Sequence, residues 1–453
     1  MPSRHDPSRP LWLQFMGFLG PMMLSNVLQA LSGTVNNIYL GQMIGTDALA
    51  ASSVFFPVLF FFMALILGLG AGASVLLGQA WGAGDRDRVR AIAATTVFTT
   101  LVLGVLMAVG LTPFSGAIMR LLDTPSSVLP GATAYATVMF AVMPVIFLFL
   151  LVTQLLRGIG DTATPLWGLF LALMISLGLT PALIRGWLGL PRMGVASAAA
   201  AAGVAWFVSL LAMGVYLRLR GSALAPDLAF LRAMRPNRRL MALVLRLGLP
   251  SAAQMVTMAV AETVLLGLVN RFGADATAAY GAVNQILAYV QFPAFSIAIT
   301  VTILSAQAIG AGRSARLPEI LRTGMLVNLA VTGGLVLLAY AFSRPVVHLF
   351  VTRGTVVEET ELLLHIVLWS AVLYGAALIL SGQMRSSGVV LAPTLLQIGC
   401  IVLVEVPVAW LLGARIGLSG VWCAYPAAFS AMLLAQALFF GLNWRKRPVA
   451  ALR

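Results

Sequence analysis

Apolar residues run through this chain in blocks too long and too continuous for alternating strands. They recur at about 12–40, 48–78, 91–113, 129–156, 164–184, 194–217, 246–271, 276–309, 319–342, 360–383, 391–413 and 418–441. Each is near or above the ~20 residues that a helix needs to cross the hydrocarbon core of a bilayer. Lipid offers the backbone no hydrogen bonds, so such runs must be helices. A membrane barrel would instead alternate over ~10-residue segments. The pattern therefore predicts an all-α polytopic membrane protein with twelve transmembrane helices. Runs near 30 residues predict tilting or bending, and Pro57, Pro144, Pro181, Pro293 and Pro407 mark candidate kinks inside them.

Polar positions inside the runs are few enough to place one by one. In the first run, "SNVLQALSGTVNN" carries Asn26, Gln29, Ser32 or Gly33, and Asn36 at spacings of three and four. At ~3.6 residues per turn these lie on one face. Such a stripe either walls a wet cavity or bonds to a neighbouring helix, where a contact is worth ~0.6 kcal/mol. The eighth run offers a partner for the cavity reading: "NQILAYVQ" puts Asn284 and Gln291 seven apart, on one face. The seventh run brings Gln254, Met255 and Met258 onto the helix that also carries Glu262. Methionine there suits an adaptable apolar wall.

Composition confirms the solvent. Only 9% of residues are charged and 60% are apolar, against ~25% charged in a soluble domain. The net charge of +14 would raise the question of nucleic acid in a soluble protein, but here it orients the helices. With the N-terminus inside, 21 basic residues fall in cytoplasmic segments and 7 in outer ones, so both termini are expected in the cytoplasm. The partner is then the lipid bilayer of a bacterial-type inner (plasma) membrane, with no nucleic acid. The N-terminal "MPSRHDPSRP" leads into what reads as an uncleaved first helix, with no small-residue cleavage site. Cys400 and Cys423 sit in apolar runs and imply no disulfide frame. His5, His348 and His365 lack metal spacing. No phosphate loop, zinc helix or nucleophile elbow appears, which argues against an enzyme, an ATP-driven pump or a resident cofactor.

The chain also repeats itself. "GTDALAA" at 45–51 matches "GADATAA" at 273–279, and "GQAWGAG" at 78–84 matches "AQAIGAG" at 306–312. Arg157 pairs with Arg385, Gly160 with Gly388 and Pro165 with Pro393, all at an offset of 228. An even number of helices per copy means that both copies enter the membrane from the same side. Their pseudo-twofold axis then runs along the membrane normal. The arginine-rich stretch 218–246 is the natural link, giving six-helix bundles over 1–225 and 226–453.

These features together resemble the multidrug and toxic compound extrusion (MATE) family. "QAWGAGD" follows the second helix, "LLRGIGDTATPL" the fourth, and "LGLPSAAQ", "AQAIGAG" and "SGQMRSSG…APT" resemble that family's C-lobe. The resemblance covers roughly 15–440. It implies two bundles exporting organic cations against entering sodium ions or protons. It also implies an essential acid in helix seven, matched by Glu262. Many relatives carry an aspartate in helix one within a "VD" pair. Here the pair is Val35-Asn36, so mechanisms that protonate that aspartate do not transfer. No acid lies between Glu361 and Glu405 either, so a helix-ten aspartate has no occupant. A facilitator-type loop motif is suggested by Asp85-Arg86 in "WGAGDRDRVR", but Trp81 and Val89 break its pattern.

Of fourteen acids, two fall inside spans: Glu262 and Glu405. An ionised carboxylate at mid-bilayer costs ~2.5–3.5 kcal/mol on the insertion scale, and Ala or Leu would pack without that cost. Glu262 is the candidate cation-coupling residue, able to take a proton or to serve as a sodium ligand. Glu405, two residues before Pro407, either joins it or pairs with Arg415. The expected function is a secondary multidrug efflux transporter, acting as a monomer, that exchanges small organic cations or amphiphilic drugs for sodium ions or protons by rocking-bundle alternating access. The alternative on the same scaffold is a flippase for a lipid-linked envelope precursor, which would need a cavity lined with arginines.

Overall fold

A computed structural model describes residues 10–348, 354–446 and 448–452. The described residues contain no strand, and twelve of their helices are long and apolar enough to cross a membrane. They are α1 (Leu11–Met43), α2 (Thr46–Gly82), α3 (Arg86–Leu121), α4 (Leu129–Gly158), α5 (Ala163–Arg185) and α6 (Ala196–Leu219), then α7 (Arg238–Phe272), α8 (Ala274–Gly310), α9 (Ser314–Ala341), α10 (Val356–Ser386), α11 (Leu391–Ile416) and α12 (Leu418–Trp444).

The twelve expected spans are all present, and where their ends differ a local bond explains it. Helix α3 starts at Arg86 because the Asp85 carboxylate accepts the Arg88 N–H at 2.9 Å, satisfying one orphan donor of the first turn. That cap is what Asp85-Arg86 does here. The same helix continues past 113 through a turn at Thr112–Phe114 around Pro113. Helix α7 starts at Arg238, well before the apolar run, because Asn237 Oδ1 accepts from Arg239 N and Leu240 N at 3.1 and 3.2 Å.

The chain forms two compact units, Leu24–Ala252 and Met1–Met23 with Ala253–Arg453, whose boundaries fall inside α1 and α7. In the first unit, α2 packs on α4, where Phe55 meets Phe140 edge-on at 5.1 Å. The opening stretch of α7 lies backbone to backbone on α2. A Cβ at Gly248 would sit 2.7 Å from Leu69 Cα, and one at Gly72 would sit 2.8 Å from Gly248 N. Glycine is required there because any side chain would separate the helices. In the second unit, Phe15, Phe18 and Leu19 of α1 join a core built by α8, α10 and α12.

The repeat is visible in the backbone. Gly45 and Gly273, Gly84 and Gly312, Gly160 and Gly388 each share a positive φ: 130° and 102°, 72° and 69°, 94° and 86°. Only glycine enters this region without strain, so the matched glycines fix the same turns in both copies. Pro165 and Pro393 each occupy the third residue of their helix, where a missing N–H leaves no hydrogen bond unmade.

Candidate functional site

Within the second unit, five helices enclose a cavity of about 240 Å³. Helix α7 contributes Met258 and Glu262, four residues apart. Helix α8 contributes Asn284, Ala288 and Gln291, again at spacings of four and three. Helix α12 contributes Tyr425, Phe429 and Met432 in the same rhythm. Helical periodicity alone therefore delivers these side chains to one place.

Helix α11 needs a further device. Its segment Ile401–Glu405 is a π-helical turn, followed by Val406 and Pro407. A π-bulge adds one residue to a turn and rotates the remainder of the helix about its axis. Here Ile401 and Glu405 both line the cavity, and Glu405 is 5% exposed. Glu405 makes no ion pair with Arg415; the ion pairs among the described residues are Arg90–Asp227 and Arg316–Glu319. Glu262 stands open to the cavity.

An aromatic wall backs the two acids. Tyr374 stacks on Phe429 with ring centroids 4.5 Å apart, and the Tyr374 hydroxyl reaches Met258 Sδ at 3.8 Å. Tyr280 and Tyr425 join hydroxyl to hydroxyl at 3.1 Å, and the Tyr280 hydroxyl also donates to the Glu262 carbonyl at 3.5 Å. These bonds satisfy phenols that would be costly to bury alone. The cavity's charged lining is two carboxylates without a counter-cation. Carboxylate, amide and phenol oxygens form a donor set suited to a hard cation. Among the described residues no group of three or more His, Cys, Asp or Glu gathers as for a transition metal.

The structure thus brings Glu262, Glu405, Met258, Asn284 and Gln291 together. Gln254 is buried instead against Arg385, whose guanidinium donates to its Oε1. Met255 follows it on α7, half-buried and outside the cavity lining. The polar stripe of α1 divides. Asn36 accepts hydroxyl bonds from Ser176 and Thr180 of α5, each at 3.3 Å, while Asn26 is half-buried and Gln29 exposed. Sequence reasoning missed Gln285, Tyr374, Tyr425 and Phe429. The four-residue spacing of Tyr425 and Phe429 was the available signal. Tyr374 stands alone in "AVLYGAALIL" and gave none.

The chain is similar to known proteins along nearly its whole length. The MatE family domain matches twice, over residues 21–182 and 250–411, one match to each repeat. The "Probable multidrug resistance protein YoeA" of Bacillus subtilis (strain 168) is 40% identical over 448 residues, covering 98% of this chain and 97% of that protein. "Multidrug export protein MepA" of Staphylococcus aureus (strain MSSA476) is 23% identical, covering 95% of this chain and 94% of its own. Among solved structures, a MATE in complex with MaL6 superimposes with a TM-score of 0.88 at 22% identity, covering 97% of both chains.

Proposed function

Because this chain belongs to the MatE family, we propose that it is a multidrug efflux transporter whose coupling ion binds in the carboxylate cavity of the second unit. The observation that carries this reading is that Glu262 and Glu405, the two acids inside the apolar runs, line one cavity. Each carboxylate in hydrocarbon is costly, and a cation held between their oxygens offsets the cost of both. Sodium ions or protons entering from outside would occupy the site, and organic cations or amphiphilic drugs would leave by alternating access. The cavity's polar and aromatic walls hold the acids ready to bind, and its lining contains no arginine for a pyrophosphate. That composition favours cation coupling over lipid-linked precursor transport.

The test is efflux of a fluorescent organic cation from proteoliposomes, with sodium and pH gradients imposed separately. Glu262→Gln keeps the shape and removes the charge. Gradient-driven efflux should be abolished while expression and thermal stability stay normal. Undiminished efflux in that variant would overturn the coupling role.

A further inference from the structure

Arg385 is a cation inside α10 that faces amide oxygens rather than a carboxylate. Its Nη2 donates to Gln254 Oε1 of α7 and, at 3.4 Å, to Gln397 Oε1 of α11. Three donors in this cluster have no hydrogen-bond partner among the described residues: Arg385 Nε, Gln397 Nε2 and Thr394 Oγ1. Gln397 and Thr394 are each 1% exposed and lie three apart on α11, one above the other on the same face. A buried donor left unpaired costs its full desolvation, and a buried positive charge without a counter-ion costs more.

The repeat sharpens the point. Arg157, the matching residue in the first copy, donates to Gln154 Oε1 at 3.2 Å and is followed four residues later by Asp161. At the same offset the second copy has Val389. The arginine is kept, the nearby negative charge is dropped, and unsatisfied donors stand in its place.

We propose that Arg385, Gln397 and Thr394 form a binding site for one small inorganic anion, chloride being the simplest. The anion would take the Arg385 Nε–H, the Gln397 amide N–H and the Thr394 O–H, and so satisfy all three orphans and the charge at once. The site also has a defined place relative to the carboxylate cavity. Gln254 lies eight residues before Glu262 on α7, and Gln397 eight before Glu405 on α11. At 1.5 Å per residue, that puts the cationic cluster roughly 12 Å along both helices from the acids. A bound anion would therefore favour a cation in the cavity above it.

Equilibrium binding of radioactive chloride to the purified full chain in detergent, at constant ionic strength with gluconate as replacement, tests this without any gradient. Its outcome is thus separate from that of the transport reading. Saturable binding near one per chain is expected, lost in Arg385→Gln and weakened at least tenfold in Thr394→Val, which keeps the arginine. Chloride should also raise the unfolding temperature of the wild-type chain and not that of Thr394→Val. Absence of saturable binding by the wild-type chain would mean that water alone fills the cluster and would overturn the proposal. Equal binding by both variants would overturn it as well.

Discussion

At the scale of single residues, the carboxylates and the amides separate into different kinds of work. Glu405 is a buried acid in a cavity that it shares with Glu262. Replacing it by glutamine keeps the volume and removes a charge that is expensive to bury. The expected result is a chain as stable as wild type or more so, with gradient-driven efflux reduced at least tenfold in proteoliposomes. Asn36 instead accepts two hydroxyl bonds from α5. Asn36→Leu leaves both hydroxyls without their acceptor, at a cost of about 1–3 kcal/mol. Thermal unfolding should register that loss, and an unchanged midpoint would show that the two bonds contribute nothing. Glu262, Met258, Asn284 and Gln291 were legible because their spacings put them on helix faces. Gln254 has a similar spacing yet meets Arg385, because which neighbour a face meets is not written in one helix.

At the scale of elements, two features depend on backbone geometry. Gly248 lets α7 touch α2, with Leu69 Cα and Gly68 O less than 3 Å from where a Cβ would be. Gly248→Val should force the helices apart and destabilise the chain by at least ~1–3 kcal/mol, read as a fall in unfolding temperature. The π turn of α11 makes a sharper prediction. Deleting Val402 would return Ile401–Glu405 to α-helical register and rotate Glu405 by about 100° out of the cavity. Efflux should fall as in Glu405→Gln while the chain remains folded, and normal efflux would show that the π turn has no functional role. The proline at 407 hinted at an irregularity; the extra residue of the π turn has no sequence signature of its own.

At the scale of the whole molecule, the repeat organises the chain. The same glycine turns and the same early prolines recur at one offset, and the family domain matches each copy. The asymmetry of basic residues makes a topological prediction. In a background without Cys400 and Cys423, Ser126→Cys should react with a membrane-impermeant maleimide on intact cells. Asp87→Cys should react only after lysis. Both positions are exposed, so the membrane alone decides the outcome, and the reverse pattern would invert the orientation.

The sequence by itself determined the solvent, the number of spans, the internal duplication and the pair of acids that hydrocarbon would not otherwise retain. Each of these comes from local quantities: run length, residue type, spacing along one helix. Tertiary structure alone decided that Glu262 and Glu405 share a cavity, that tyrosines from three helices wall it, and that Gln254 turns to an arginine instead. Those outcomes depend on which helix faces come together and on a one-residue change of register in α11. Contacts between distant segments are set by packing, which no single run of sequence specifies.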